Sequence, residues 1–92
     1  MRYIPNEVAI TTQSVLDGMR ITHAYYHSTD GIWEFFPDQE WDYDDLRLVA
    51  MVEIVNKDYR LLDVILKMTE QKAAIYDKDK QRWVIVPYSY TD

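Results

Sequence analysis

Cysteine is absent from this chain of 92 residues, and glycine occurs only at Gly18 and Gly31. Without thiols there is no disulfide, no thiolate metal site and no cysteine nucleophile, so packing alone must hold the fold. Two glycines cannot build a Gly-rich phosphate loop. Long apolar stretches are missing too: the longest, Leu48–Val52, falls far short of the roughly 20 residues of a membrane-spanning helix. The N-terminal residues lack the apolar run of a signal peptide, which leads us to expect a cytoplasmic protein. Bases are in deficit, with 10 Lys and Arg against 16 Asp and Glu and a net charge of −6. Nucleic-acid and anionic-membrane binders both need a surplus of cations, so neither partner is expected.

What is present is the composition of a globule, 48 % hydrophobic and 14 % aromatic, and not that of an acidic disordered tail. The length suits one domain, 1–92, with a single core. Glu7–Thr11 reads as a first strand, and Ser14 to Gly18 as a helical or tight turn in which Gly18 is free to take a positive φ. Arg20–His27 reads as a second strand, with Ile21, His23, Tyr25 and His27 on one face and Thr22, Ala24 and Tyr26 on the other. Asp30-Gly31 marks a hairpin into a third strand, Ile32–Phe36, that Pro37 stops.

After an acidic loop, Leu46–Val55 alternates Leu46, Leu48, Ala50, Val52 and Ile54 against Val49, Met51 and Val55. A strand apolar on both faces belongs in the middle of a sheet. Asn56 or Asp58 can cap the next element. There Arg60, Asp63, Lys67 and Glu70 make one polar helical stripe, and Leu61, Leu62, Ile65, Leu66 and Met68 fill the rest. Lys72–Asp77 and Arg82–Tyr88 complete the pattern as two strands around a charged turn, with Pro87 pointing to an edge. The expected fold is α+β: a mostly antiparallel sheet of about six strands, β-β-β-β-α-β-β, with one main helix on one face.

Few residues form a chemical motif. His23 and His27 share a strand face, and Glu34 across the hairpin is the nearest third donor for a metal. The alternative is two surface histidines on a polar strand face. Asp38, Glu40, Asp42 and Asp44 alternate as calcium-loop carboxylates do, but the sixth and twelfth positions hold Tyr43 and Val49 in place of glycine and glutamate. Paired acids for glycoside cleavage would need a cleft that so small a sheet hardly offers. No serine elbow or serine–histidine–aspartate arrangement is apparent, so no catalytic residues, enzyme activity or cofactor are expected.

The sharper feature is a charge asymmetry. From Ile21 to Leu46 there are seven acids and no Lys or Arg, which leaves the rest of the chain at +1. The same span holds seven of the thirteen aromatic residues. Carboxylates interleaved with rings are what an interface for a basic partner uses, and Trp41 and Tyr43 are the hardest to explain as core. The partner-binding set expected here is Tyr25, Asp38, Glu40, Trp41, Asp42, Tyr43, Asp44 and Asp45. The competing explanation places Trp33 and Phe35 in the core, with the carboxylates merely solvating a loop.

The run from Ile10 to Gly18 (ITTQSVLDG), followed by Asp30, Trp33, Phe35 and Glu40, the strand near Glu53, Leu61-Leu62 and the closing hairpin, resembles the bacterial immunity protein 33-like family. The resemblance extends roughly from Val8 to Val86, and the chain departs from the family pattern at Gly31-Ile32, Asp38 and Gln39. It implies a small cytoplasmic antidote that binds and blocks a toxin, with no catalytic residues. The leading expectation is therefore an immunity-type module that caps a basic toxin domain. A metal- or small-ligand sensor using His23 and His27, and a homo-oligomeric structural domain, are the alternatives.

Overall fold

A computed structural model describes residues 2–69 and 72–88. Six strands, β1 (Val8–Thr12), β2 (Ile21–His27), β3 (Ile32–Pro37), β4 (Leu46–Ala50), β5 (Lys72–Asp77) and β6 (Arg82–Pro87), form one sheet in the order β4-β1-β3-β2-β5-β6. All neighbours are antiparallel except β1 and β3, which run parallel. The fold is thus α+β, as expected, with a mixed sheet.

Three helical segments join the strands: α1 (Gln13–Leu16), α2 (Met51–Lys57) and α3 (Leu61–Lys67). The first is the expected turn. Thr12 ends β1 and caps α1, its Oγ1 accepting from the Val15 N–H at 3.3 Å. Gly18 leaves the turn at φ 122°, a conformation that side chains rarely adopt.

The stretch 46–55 corrects the expectation of one long central strand. The strand stops at Ala50 and lies at the sheet edge, and Met51 opens α2. Two periods coexist in these residues. Alternation links Leu46 to Ile54, but Met51, Ile54 and Val55 also fall on one helical face, and that face is the one buried. The helix start is fixed by partners remote in sequence: Met51 N–H donates to the Glu7 carbonyl at 2.8 Å and Val52 N–H to the Pro5 carbonyl at 3.0 Å. The Glu53 carboxylate reaches back to accept from Ala50 N–H at 2.9 Å.

The expected helix is α3, and α2, which takes the second half of the expected strand, precedes it. Asn56 lies inside α2 and caps nothing, whereas Asp58 receives the Arg60 N–H at 3.1 Å just before α3. Asp63 and Lys67 form the expected i,i+4 pair at 3.0 Å. Glu70 lies outside the described residues.

Residues on one sheet face, Ala9, Ala24, Trp33, Phe35 and Ala74, share a core with Met51, Ile54, Leu61, Val64, Ile65 and Met68 of the helical layer. A register irregularity between Ile21 and His23 corrects the simple alternation of β2: Ile21 joins this core, while His23, Tyr25 and His27 pair with the outer residues of β3. The outer face, carrying Ile10, Glu34, Phe36, Tyr25 and Ile75, contributes nothing to that cluster. No helix among the described residues is long and apolar enough to cross a membrane.

Candidate functional site

A second group of aromatic residues, apart from those of the core, gathers on the outer sheet face. Period-2 alternation puts Phe36 of β3 and Tyr25 of β2 on this face, on neighbouring strands, with ring centroids 6.3 Å apart. Past β3, Pro37 ends the ladder, and the chain folds back so that Trp41 lies on Phe36, centroids 4.5 Å apart and planes 23° from parallel. Tyr88, next after β6, meets Tyr25 at 5.0 Å, and His23 stacks beside Tyr25 at 6.4 Å.

These rings line a groove of about 620 Å³ whose other walls include Glu34, Asp38 and Glu40. Among the described residues no Lys or Arg lines it. The rings supply apolar area, and their negative faces favour a cation as the carboxylates do.

Each carboxylate has its own circumstances. Glu34 is paired with His27 Nε2 at 2.5 Å. Asp38 accepts from Lys78 Nζ at 2.8 Å, and this bonded cation holds its carboxyl below the ordinary carboxylate value. Glu40 has no hydrogen-bond or ion-pair partner among the described residues. Tyr25 ionises above its ordinary value, first because it is half-buried and then because Tyr88 and Glu34 add negative charge nearby.

The expected partner-binding set divides in two. Tyr25, Asp38, Glu40 and Trp41 come together in the groove. Asp42, Tyr43, Asp44 and Asp45 do not line it: they form a short 3-10 turn, Tyr43–Asp45, capped by Asp42. Asp42 Oδ1 accepts from Asp44 N–H at 3.0 Å, and Asp45 Oδ2 accepts from Asp42 N–H at 3.2 Å, so two of these carboxylates shape the turn itself. Arg47 closes over it, donating to the Asp44 carbonyl at 2.7 Å. Tyr43, 86 % exposed, stands free on the turn.

Sequence reasoning missed Phe36 and Tyr88 as groove residues. The continued alternation Val84, Val86, Tyr88 was the available signal for the second, and the opposite phase of Phe36 to Trp33 and Phe35 for the first. The trio His23, His27 and Glu34 is not assembled as a ligand set. His27 and Glu34 bond each other, whereas His23 Nδ1 shares a 2.8 Å hydrogen bond with Thr22 Oγ1. No group of three or more His, Asp or Glu placed to hold a metal occurs among the described residues.

Comparison with protein-family models, with curated proteins and with solved structures gives no match.

Proposed function

We propose that the chain is a cytoplasmic protein-binding module of the immunity type, which blocks a toxin by docking the toxin's basic surface on the outer sheet face. The observation that carries this reading is the groove in which Trp41, Phe36, Tyr25 and Tyr88 meet Glu34, Asp38 and Glu40, with no Lys or Arg in its wall among the described residues. Rings in contact with carboxylates are suited to a lysine- or arginine-rich partner, because desolvated aromatic area anchors while negative charge steers and selects. The 3-10 turn with Asp42, Tyr43, Asp44 and Asp45 adds field and one exposed ring outside the groove. Blocking in this way needs no reacting group. It requires only that the covered toxin surface include the toxin's own active centre.

The test is capture from native cells on wild-type protein and on the double variant Trp41→Ala, Glu40→Gln, followed by co-expression of what is recovered. The supporting result is a basic protein held by wild type and lost by the variant, with an association rate that falls steeply as salt is added. That protein should be toxic when expressed alone and tolerated beside the wild-type chain. Capture indifferent to both substitutions, or an association rate indifferent to salt, would overturn the reading. Recovery of this chain alone, with a dimer in solution, would replace it by self-association.

A further inference from the structure

A second cleft has the opposite polarity. It lies at the end of the sheet where β2 begins and the 78–81 turn joins β5 to β6. Arg20 approaches from the loop before β2, and its guanidinium carbon sits 3.9 Å from the ring centre of Tyr76. Arg60, at the start of α3, reaches the same ring at 5.4 Å. With Thr22, Lys78 and Gln81, these three residues line a cleft of about 410 Å³ that has no carboxylate in its wall among the described residues.

The charge balance in the cleft is uneven. Arg60 is paired with Asp58 through its Nε at 3.1 Å, and Lys78 with Asp38 at 2.8 Å. Arg20 has no carboxylate partner among the described residues. In a chain of net charge −6, a cleft walled by three cations and, among the described residues, no acid stands out against the composition. A guanidinium placed over a ring keeps its N–H edge free to grip two oxygens at once, which an ammonium cannot do.

The backbone adds an independent sign. Gln81 is the one non-glycine residue with positive φ, 54°, among the described residues. That conformation is strained for a residue with a Cβ, and glycine or asparagine would relieve it. Gln81 in this conformation lines the cleft beside the three cations.

We propose that this cleft binds a phosphoryl group, as free phosphate or as a small phosphomonoester. Arg20 is the bidentate donor, Arg60 and Lys78 are the flanking charges, and the Gln81 amide donates a further hydrogen bond. A carboxylate offers two oxygens and one charge, which Arg20 alone would satisfy. A tetrahedral dianion has oxygens and charge left over for the other donors.

The experiment follows the arginine side-chain N–H resonances of the full chain during titration with inorganic phosphate, with phenyl phosphate, and with sodium chloride at matched ionic strength. The expected result is a saturable shift of Arg20 and Arg60 with phosphate, with phenyl phosphate or with both, and none with chloride. Tighter binding of phenyl phosphate assigns the site to an ester, and equal or tighter binding of inorganic phosphate assigns it to the free ion. Arg20→Gln should weaken binding about tenfold or more, with Arg20→Lys in between, while thermal unfolding confirms that both variants remain folded. Equal responses to phosphate, phenyl phosphate and chloride would overturn the proposal, as would undiminished binding in a folded Arg20→Gln variant.

Discussion

The indole of Trp41 lies on the ring of Phe36 at 4.5 Å between centroids, and this contact turns a loop residue into the lid of a sheet residue. Phe36 points away from the core, yet it is only 7 % exposed, while Trp41 above it remains 38 % exposed.

Trp41→Ala should therefore destabilise the fold by about 1–2 kcal/mol, from lost stacking and from exposing Phe36. For a domain of this size that is a fall in melting temperature of roughly 4–8 °C per kcal/mol. Tyr43→Ala, two residues on, removes a ring that is 86 % exposed and should leave stability within about 0.5 kcal/mol. Thermal unfolding of the two variants side by side checks the contrast.

Leu48 and Ile54 would be equivalent if 46–55 were one strand, but they are not. Ile54 is fully buried in α2, and Leu48 is 73 % exposed on the edge strand. Ile54→Ala should cost about 2–5 kcal/mol. Leu48→Ala should cost less than about 0.5 kcal/mol. Urea denaturation of the two variants measures the difference directly.

Asp38 is depressed below its ordinary carboxylate value of 3.8 by the hydrogen bond and charge of Lys78. Its stabilising effect is thus present above the unfolded value and is lost as pH falls through the lower folded value. Because the pair is exposed, added salt should weaken it. Carbon NMR titration of the Asp38 carboxyl should show its midpoint rise in Lys78→Gln; an unchanged midpoint would remove the pairing from solution.

Tyr25 titrates in the other direction. Burial, then Tyr88 and Glu34, hold its hydroxyl above the ordinary value of 10.0. Its neutral form is favoured in the fold, so the associated stability is intact below the unfolded value and disappears as pH rises through the folded one. Tyrosinate absorbance should register a late-ionising tyrosine that Tyr25→Phe removes, and Glu34→Gln should bring it partway back.

Gln81→Gly should stabilise the chain by about 1 kcal/mol, since glycine accepts φ 54° without the Cβ clash. Chemical denaturation reads this change, and a loss of stability would mean that the Gln81 side chain contributes more than its strained backbone costs.

Much of the architecture was legible because local chemistry agreed with it. Asp30-Gly31 announced the β2–β3 hairpin, in which Gly31 takes φ 68°. Asp63 and Lys67 marked α3, and Pro87 marked an edge strand. The stretch 46–55 was not legible. Its apolar residues satisfy strand and helix periods together, and the choice is made by the Pro5 and Glu7 carbonyls, more than 40 residues earlier in the chain. The irregularity at Ile21/His23 was hidden for a related reason, since alternation continues through the sequence while the ladder slips.

The acidic, ring-bearing segment 21–46 and the α+β pattern are properties of the sequence by itself, because charge, periodicity and turn residues are local. Only the tertiary structure decided which carboxylates line the groove. It placed Lys78 on Asp38 and His27 on Glu34, engaged Asp42 and Asp45 in capping their own turn, and left Glu40 in the groove wall with Trp41. Only the fold, likewise, carried Arg20 and Arg60 to one tyrosine ring. The Lys78–Asp38 pair and the contacts of Arg20 and Arg60 with Tyr76 join residues that are tens of positions apart. Sheet order and register set them, and a linear pattern of residues does not encode either one locally.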